Sequence, residues 1–339
     1  MFDGKISAIA NSAHSSKTPA MKRIPLAFLA TLSIFTAHAS AQALKYEDVP
    51  NFFDAQPGGA QTGPCHGGVA IDKAGNIYVT TDTLRGILVF SAGGKFQRAV
   101  GPTKIHALEI REEGGTEFIY AARPSEHEVI KLKLDGTQEW SLKYPEESGK
   151  CKDASGFKPC AATVGPDGSI FVADGYGSNY IYKFDKDRKF VKAFGEPGVE
   201  EGKFKTCHGI ALDTRGEKPL LFVCNRNNNR VEYWDLDGNF VRVIQKDLRM
   251  PAAVHIRGDD AVVPELQGRV TVLGKSGAIA AQVGDNPEPK FRANFGLKPE
   301  NWKDGITNSP HGASIDKDGN LIVTEWSAFG RLHKFLRKN

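Results

Sequence analysis

The sequence predicts an all-β protein, a six-bladed β-propeller of four-stranded blades closed by an N-terminal strand. Three observations predict it. A two-strand unit recurs: "GGVAIDKAGNIYVTTD" (67–82), "CAATVGPDGSIFVADG" (160–175) and "HGASIDKDGNLIVTEW" (311–326) each read as an apolar strand, a polar turn carrying glycine, and a second apolar strand. Glycine is abundant, 36 in 339 residues, which suits many short strands joined by tight turns. Helical periodicity is almost absent. The length could hold two average domains, but a closed all-β architecture can use it as one.

Taken in chain order, residues 1–20 are polar and read as an extension upstream of a start at Met21. "MKRIPLAFLATLSIFTAHASA" (21–41) has a basic end at Lys22 and Arg23, an apolar stretch from Ile24 to Phe35, and an A-x-A cleavage site at Ala39–Ala41. Residues 1–41 are therefore expected to be leader, cleaved near Ala41, with 42–339 forming one exported propeller, periplasmic or secreted. The apolar stretch is short for a membrane span, and no cysteine sits beside the cleavage point, so no membrane anchor is expected. The formal charge of +4 includes four Lys/Arg and one Asp of the leader, leaving the remainder near neutrality. No basic run with interleaved aromatics stands out, so nucleic acid is not an expected partner.

The segment "LKYEDVPNFF" (44–53) precedes the first repeat and can supply a missing strand. Six first strands are expected to start at Gly67, His106, Cys160, His208, Ala252 and His311, which are 39 to 59 residues apart, near the length of a four-stranded blade. Third and fourth strands follow, such as "YIYKFD" and "FVKAFG" (180–195) or "RVEYWD" and "FVRVIQ" (230–245). The sixth unit has three strands before the chain ends. Pairing with segment 44–53 would close the ring and protect its edges. Five cysteines remain, an odd number for an exported chain; Cys151 and Cys160 are near enough in sequence to bridge, but sequence does not decide the pairing of these with Cys65, Cys207 and Cys224.

In a propeller the first strand of each blade lines the central channel, so one register on successive blades forms a ring. Here that ring reads Gly67, His106, Cys160, His208, Ala252, His311. Histidines on blades two, four and six lie about 120° apart around a six-fold ring. Three histidines with an open fourth position are the ligand set of a catalytic zinc. Duplication of an ancestral blade explains any one of them as a residue satisfying backbone groups; their alternation is what duplication leaves over. Calcium prefers oxygen ligands and fits this ring poorly. Cys160 is expected to be a buried, inert thiol. His66, one residue before the ring, is expected to point away from the axis, and His255 to lie off the ring.

The ends of the second strands form a rim that presents Asp82, Arg123, Gly175 with Tyr176, Arg226, Leu266 after Glu265, and Trp326 after Glu325. Two arginines and a tyrosine beside a cation suit an anionic substrate. Both positive charges would favour ionisation of the phenol.

With the blades aligned, the sequence resembles peptidyl-α-hydroxyglycine α-amidating lyases, six-bladed propellers of the NHL-repeat type. The resemblance is carried by "IFVADGYGSNYIYKFDKDRKFVKAFGEPGVEEGKFKTCHGIALD" (170–213), "FVCNRNNNRV" (222–231) and "SPHGASIDKDGNLIVTE" (309–325). It implies zinc held by His106, His208 and His311, a catalytic tyrosine at Tyr176 and an active-site arginine at Arg226. It further implies cleavage of a carbinolamide N–C bond to a primary amide and glyoxylate, with zinc as Lewis acid and Tyr176 as general base. The sequence departs from the family in three places. Asp82 stands where a second arginine is expected, Gly312 stands where a structural calcium takes an aspartate, and the family's disulfide cysteines do not coincide with these five. Arg123, on the neighbouring blade, is expected to take over carboxylate binding and to pair with Asp82 when no substrate is bound. A monomer acting on a small or peptide-derived anionic substrate is expected. The rival readings are a non-catalytic propeller that binds protein or glycan, and a hydrolase or streptogramin-lyase-like propeller using magnesium.

Overall fold

The computed structural model describes residues 43–54 and 62–338. The leader and its cleavage site at Ala41 lie outside the described residues. Six antiparallel four-stranded sheets follow one another along the chain, each built in sequence order from the inside out, with one exception. The innermost strands are Val69–Ile71, Ala107–Glu113, Ala161–Val164, Cys207–Asp213, His255–Arg257 and Pro310–Ile315. In the sixth sheet the outermost strand is Lys45–Asp48, which pairs antiparallel with Leu332–Lys338, Lys45 facing Lys338 and Asp48 facing Phe335. The N-terminal segment thus closes the ring, as its place in the sequence predicted. The only helices among the described residues are one-turn 3₁₀ helices.

The recurring turn has a physical cause. Gly75, Gly168 and Gly319 adopt φ of +87°, +81° and +83°, a region that only glycine enters at low cost. At two of these turns an aspartate carboxylate accepts the backbone N–H of the residue four on: Asp72 from Asn76 (2.7 Å) and Asp316 from Asn320 (2.9 Å).

Packing follows the ring. Each hydrophobic cluster joins two neighbouring blades: Tyr78, Ile87 and Val89 of blade one meet Ile119, Ala121 and Ile130 of blade two. The last seam joins Ile322 and Leu332 of blade six to Val69, Val79 and Leu88 of blade one. No blade buries its two faces alone, so stability depends on closure. The inner strands surround a channel cavity of about 200 Å³, lined mostly by small and aliphatic residues, with Glu109, Arg111, Tyr120, His255 and the three ring histidines among them.

Candidate metal centre

The three ring histidines converge at one end of this channel. Their ring centroids form a nearly equilateral triangle: His106 to His208 4.8 Å, His106 to His311 4.9 Å, His208 to His311 4.9 Å. One ring nitrogen from each lies within 4.8 Å of the others, and all three residues are buried. No other such cluster of histidine, cysteine, aspartate or glutamate occurs among the described residues.

Strand irregularities aim these side chains. In blade four Cys207 faces Asn225 and Gly209 faces Cys224, which leaves His208 as the extra residue of a bulge. His311 is the extra residue in blade six, between Pro310 facing Glu325 and Gly312 facing Thr324. His106 sits just outside its strand, its N–H donating to the Ala122 carbonyl. A bulge re-aims a side chain that regular pleating would send to a sheet face.

The intervening ring positions supply backbone, not side chains. His106 Nδ1 donates to the Cys160 carbonyl at 2.8 Å, and His208 Nδ1 donates to the Ala252 carbonyl at 2.5 Å. A carbonyl can only accept, so each of these imidazoles carries its proton on Nδ1 and leaves Nε2 as a lone-pair donor. Such a bond from the far ring nitrogen to a fixed carbonyl is what orients metal-binding histidines. Burial, with Arg226 and the neighbouring imidazoles adding like charge, pushes all three well below the usual histidine range, His106 to about 3. Three neutral imidazoles result. The buried Nε2 of His311 meets no hydrogen-bond partner among the described residues. An unpaired buried nitrogen of this kind costs about 1–3 kcal/mol unless a ligand takes it. Three nitrogen donors with no carboxylate fit zinc and do not fit calcium.

Tyr176 and Arg226 stand over the triangle. The Tyr176 hydroxyl lies 2.9 Å from His208 Nε2 and 3.2 Å from His106 Nε2, and accepts a bond from Arg226 Nη1 at 3.0 Å. The guanidinium also lies over the tyrosine ring, 5.2 Å from its centroid. Burial pushes the Tyr176 phenol up to about 12, against the opposing pull of Arg226. The expected ionisation of the phenol thus requires a further positive charge. Cys160 is buried and its thiol is pushed up by burial, so it contributes its carbonyl alone. All five cysteines are free, and Cys151 and Cys160 are not bridged.

Arg123 does not join this group. It pairs with Glu128 and donates through Nε to the Thr103 carbonyl at 3.1 Å. The register explains why. Asp82, Arg226, Leu266 and Trp326 are equivalent rim residues, each with its N–H on a carbonyl of the loop entering the blade. Arg123 falls one residue earlier, with Asn225, Glu265 and Glu325, whose side chains tie down that entering loop. The expected pairing of Arg123 with Asp82 is replaced by a bond from His66 Nδ1 to Asp82 at 2.9 Å.

His66 is the residue that sequence reasoning missed. Its ring centroid is 5.4 Å from that of His106 and 6.3 Å from that of His311. In blades two, four and five a left-handed residue (Lys104, Thr206, Met250) falls two positions before the ring residue. In blade one the ring residue itself, Gly67, has φ +92°, and this turns His66 toward the site. A glycine at a ring position was the one available signal.

No family model matches the chain. It is 24% identical over 315 residues, 80% of this chain, to "Peptidyl-alpha-hydroxyglycine alpha-amidating lyase 1" of Drosophila melanogaster. It is 24% identical over 228 residues, 65% of this chain, to "Probable peptidyl-alpha-hydroxyglycine alpha-amidating lyase pgal-1" of Caenorhabditis elegans. The resemblance is to the amidating lyases. The matches span 57% and 60% of those two relatives. Among solved structures, a streptogramin B lyase superposes over 88% of this chain and all of its own, with a TM-score of 0.58 and 17% identity. The virginiamycin B lyase of Staphylococcus aureus superposes over 86% of this chain and 99% of its own, with a TM-score of 0.57 and 14% identity. At such identity the likeness concerns the fold.

Proposed function

We propose that the protein is an exported zinc-dependent lyase that cleaves the N–C bond of a small α-hydroxylated amide, releasing an amide and glyoxylate. The observation that carries this reading is the triangle of neutral imidazoles with His311 Nε2 unpartnered, capped by a tyrosine hydroxyl and an arginine. His106, His208 and His311 would hold the metal. When bound, zinc supplies Lewis-acid chemistry and the positive charge that favours the phenolate form of Tyr176.

The chain's own residues account for the rest. Arg226, half-buried at the rim, binds the anionic end of the substrate and stabilises the ionised tyrosine. The Tyr176 oxygen takes the proton of the carbinolamide hydroxyl. The O–H electron pair becomes the new C=O bond, and the C–N pair leaves with nitrogen. The proton on Tyr176 is then delivered to nitrogen, which completes the amide and restores the phenolate. The amidating-lyase resemblance supports this substrate class.

Metal analysis of the purified protein beside His208→Ala tests the reading. About one zinc per chain, lost in the variant, is expected, together with glyoxylate release from α-hydroxyhippurate. A wild-type protein that folds without metal and takes none up would overturn it.

A further inference from the structure

The blade-one side of the site carries a pair that the proposed mechanism does not use. His66 and Asp82 are both partly open to solvent, with side chains 39% and 26% exposed. Asp82 holds His66 Nδ1 at 2.8–2.9 Å from its two carboxylate oxygens. A carboxylate only accepts, so the Nδ1 proton is donated to Asp82, and in the neutral imidazole Nε2 is then the acceptor. No described residue bonds to that nitrogen. Its ring nonetheless packs against His106 and lies near His311, at the edge of the triangle.

The opposite side of the site has the reverse character. Arg226 presents N–H donors beside Tyr176. Arg123, the other arginine near this rim, is spent on Glu128 and the Thr103 carbonyl. A bound molecule therefore meets donors toward blade four and acceptors toward blade one.

We propose that His66, oriented by Asp82, contacts substrate and sets specificity, selecting a molecule that carries an oxyanion for Arg226 and a hydrogen-bond donor for His66 Nε2. The donor is a hydroxyl, an amide N–H or an ammonium group. A substrate with two anionic ends is disfavoured, because the second would face Asp82. A substrate that carries the donor gains one hydrogen bond to His66 Nε2 that the analogue lacking it cannot make. The proposal rests on the metal-centred lyase reading and adds the substrate's polarity to it.

Two probes separate the possibilities. Glycolate carries a carboxylate and a hydroxyl donor, and methoxyacetate has the same carboxylate with no donor. Each is titrated calorimetrically into the purified wild-type, His66→Ala and Asp82→Ala proteins, with zinc content measured in parallel. Wild type is expected to prefer glycolate by about three- to tenfold, the worth of one hydrogen bond. Both variants should lose that preference, keep their affinity for methoxyacetate within twofold, and keep their zinc. Preference retained in His66→Ala, weakening of both probes alike, or no glycolate binding by wild type would each overturn the proposal. Zinc lost from His66→Ala would do so too, since it would make His66 a metal ligand. Absence of zinc and of glyoxylate release in wild type would instead count against the lyase reading, whatever the probe preference.

Discussion

Tyr176 is a third exposed (36%), yet its hydroxyl is gripped by two imidazoles and a guanidinium. Tyr176→Phe removes the hydroxyl and little volume. It is expected to lower kcat for glyoxylate release by about 10²- to 10⁴-fold, the range for loss of a general base. Zinc content should stay at the wild-type level, because the three histidines keep their backbone partners. A loss of less than tenfold would exclude Tyr176 as the base. At this scale His106, His208 and His311 were legible in the sequence because one register on alternate blades must point to one axis. Tyr176 and Arg226 followed from the strand ends. His66 was not legible, since its direction depends on the φ of Gly67, which no pattern of apolar residues encodes.

Strands position these residues through irregularity. His311 protrudes because the strand bulges between Pro310 and Gly312, and Gly312 packs against blade one. A Cβ at Gly312 would lie 1.9 Å from the Gly67 carbonyl oxygen and 2.7 Å from Thr324 Oγ1. Backbone cannot step aside as a flexible side chain can. Gly312→Ala is therefore expected to lower the urea-unfolding free energy by about 1–3 kcal/mol and to weaken zinc binding. Gly216→Ala, whose Cβ would meet only the Lys218 carbonyl oxygen at 3.6 Å, should leave both unchanged. Equal stability of the two variants would remove the seam from the account of the site. The same one-residue sensitivity explains Arg123. Sequence alignment of strand ends placed it on the rim, whereas ladder pairing of Ala122 with Ala107 places it one residue short, in the loop-tying register.

The whole ring concentrates neutral histidines around its channel, and this couples stability to pH. His106 and His255 are pushed down to about 3 and about 4, chiefly by burial, and His208 and His311 are also lowered. His255 Nδ1 accepts the Ile315 N–H at 3.1 Å, a bond that protonation there would remove. The unfolded chain protonates these groups near pH 6.5, and the folded one does so only at lower pH. Between those values the unfolded state holds more protons, so stability is full above about pH 6.5 and falls as pH drops, by up to about 1.4 kcal/mol per unit per group. Glu109, a channel carboxyl pushed up to about 7 by burial, acts in the opposite sense between about pH 4.5 and 7. Among these channel groups one opposes four. Chelator-treated protein is accordingly expected to unfold at lower urea at pH 5.0 than at pH 7.5. An unchanged or higher midpoint at pH 5.0 would contradict the neutral-histidine ring.

Repeat length, turn chemistry and apolar runs of strand length determined six blades, and the spare segment 44–53 determined how the ring closes. These are local or periodic properties, and a chain with only one consistent way to pair its strands displays them openly. The ring of histidines was also legible in sequence, because the repeat carries one register of each blade to the axis, while bulges aim His208 and His311 there. Tertiary structure alone decided which polar groups meet. Arg123 went to Glu128, Asp82 to His66, and the five cysteines stayed free, four of them buried. Such pairings depend on a single left-handed residue or a one-residue offset in a ladder. Arg123 and Glu128 are five residues apart and His66 and Asp82 sixteen, so each pair meets within one blade, and local backbone geometry rather than the pattern of apolar residues brings it within bonding distance.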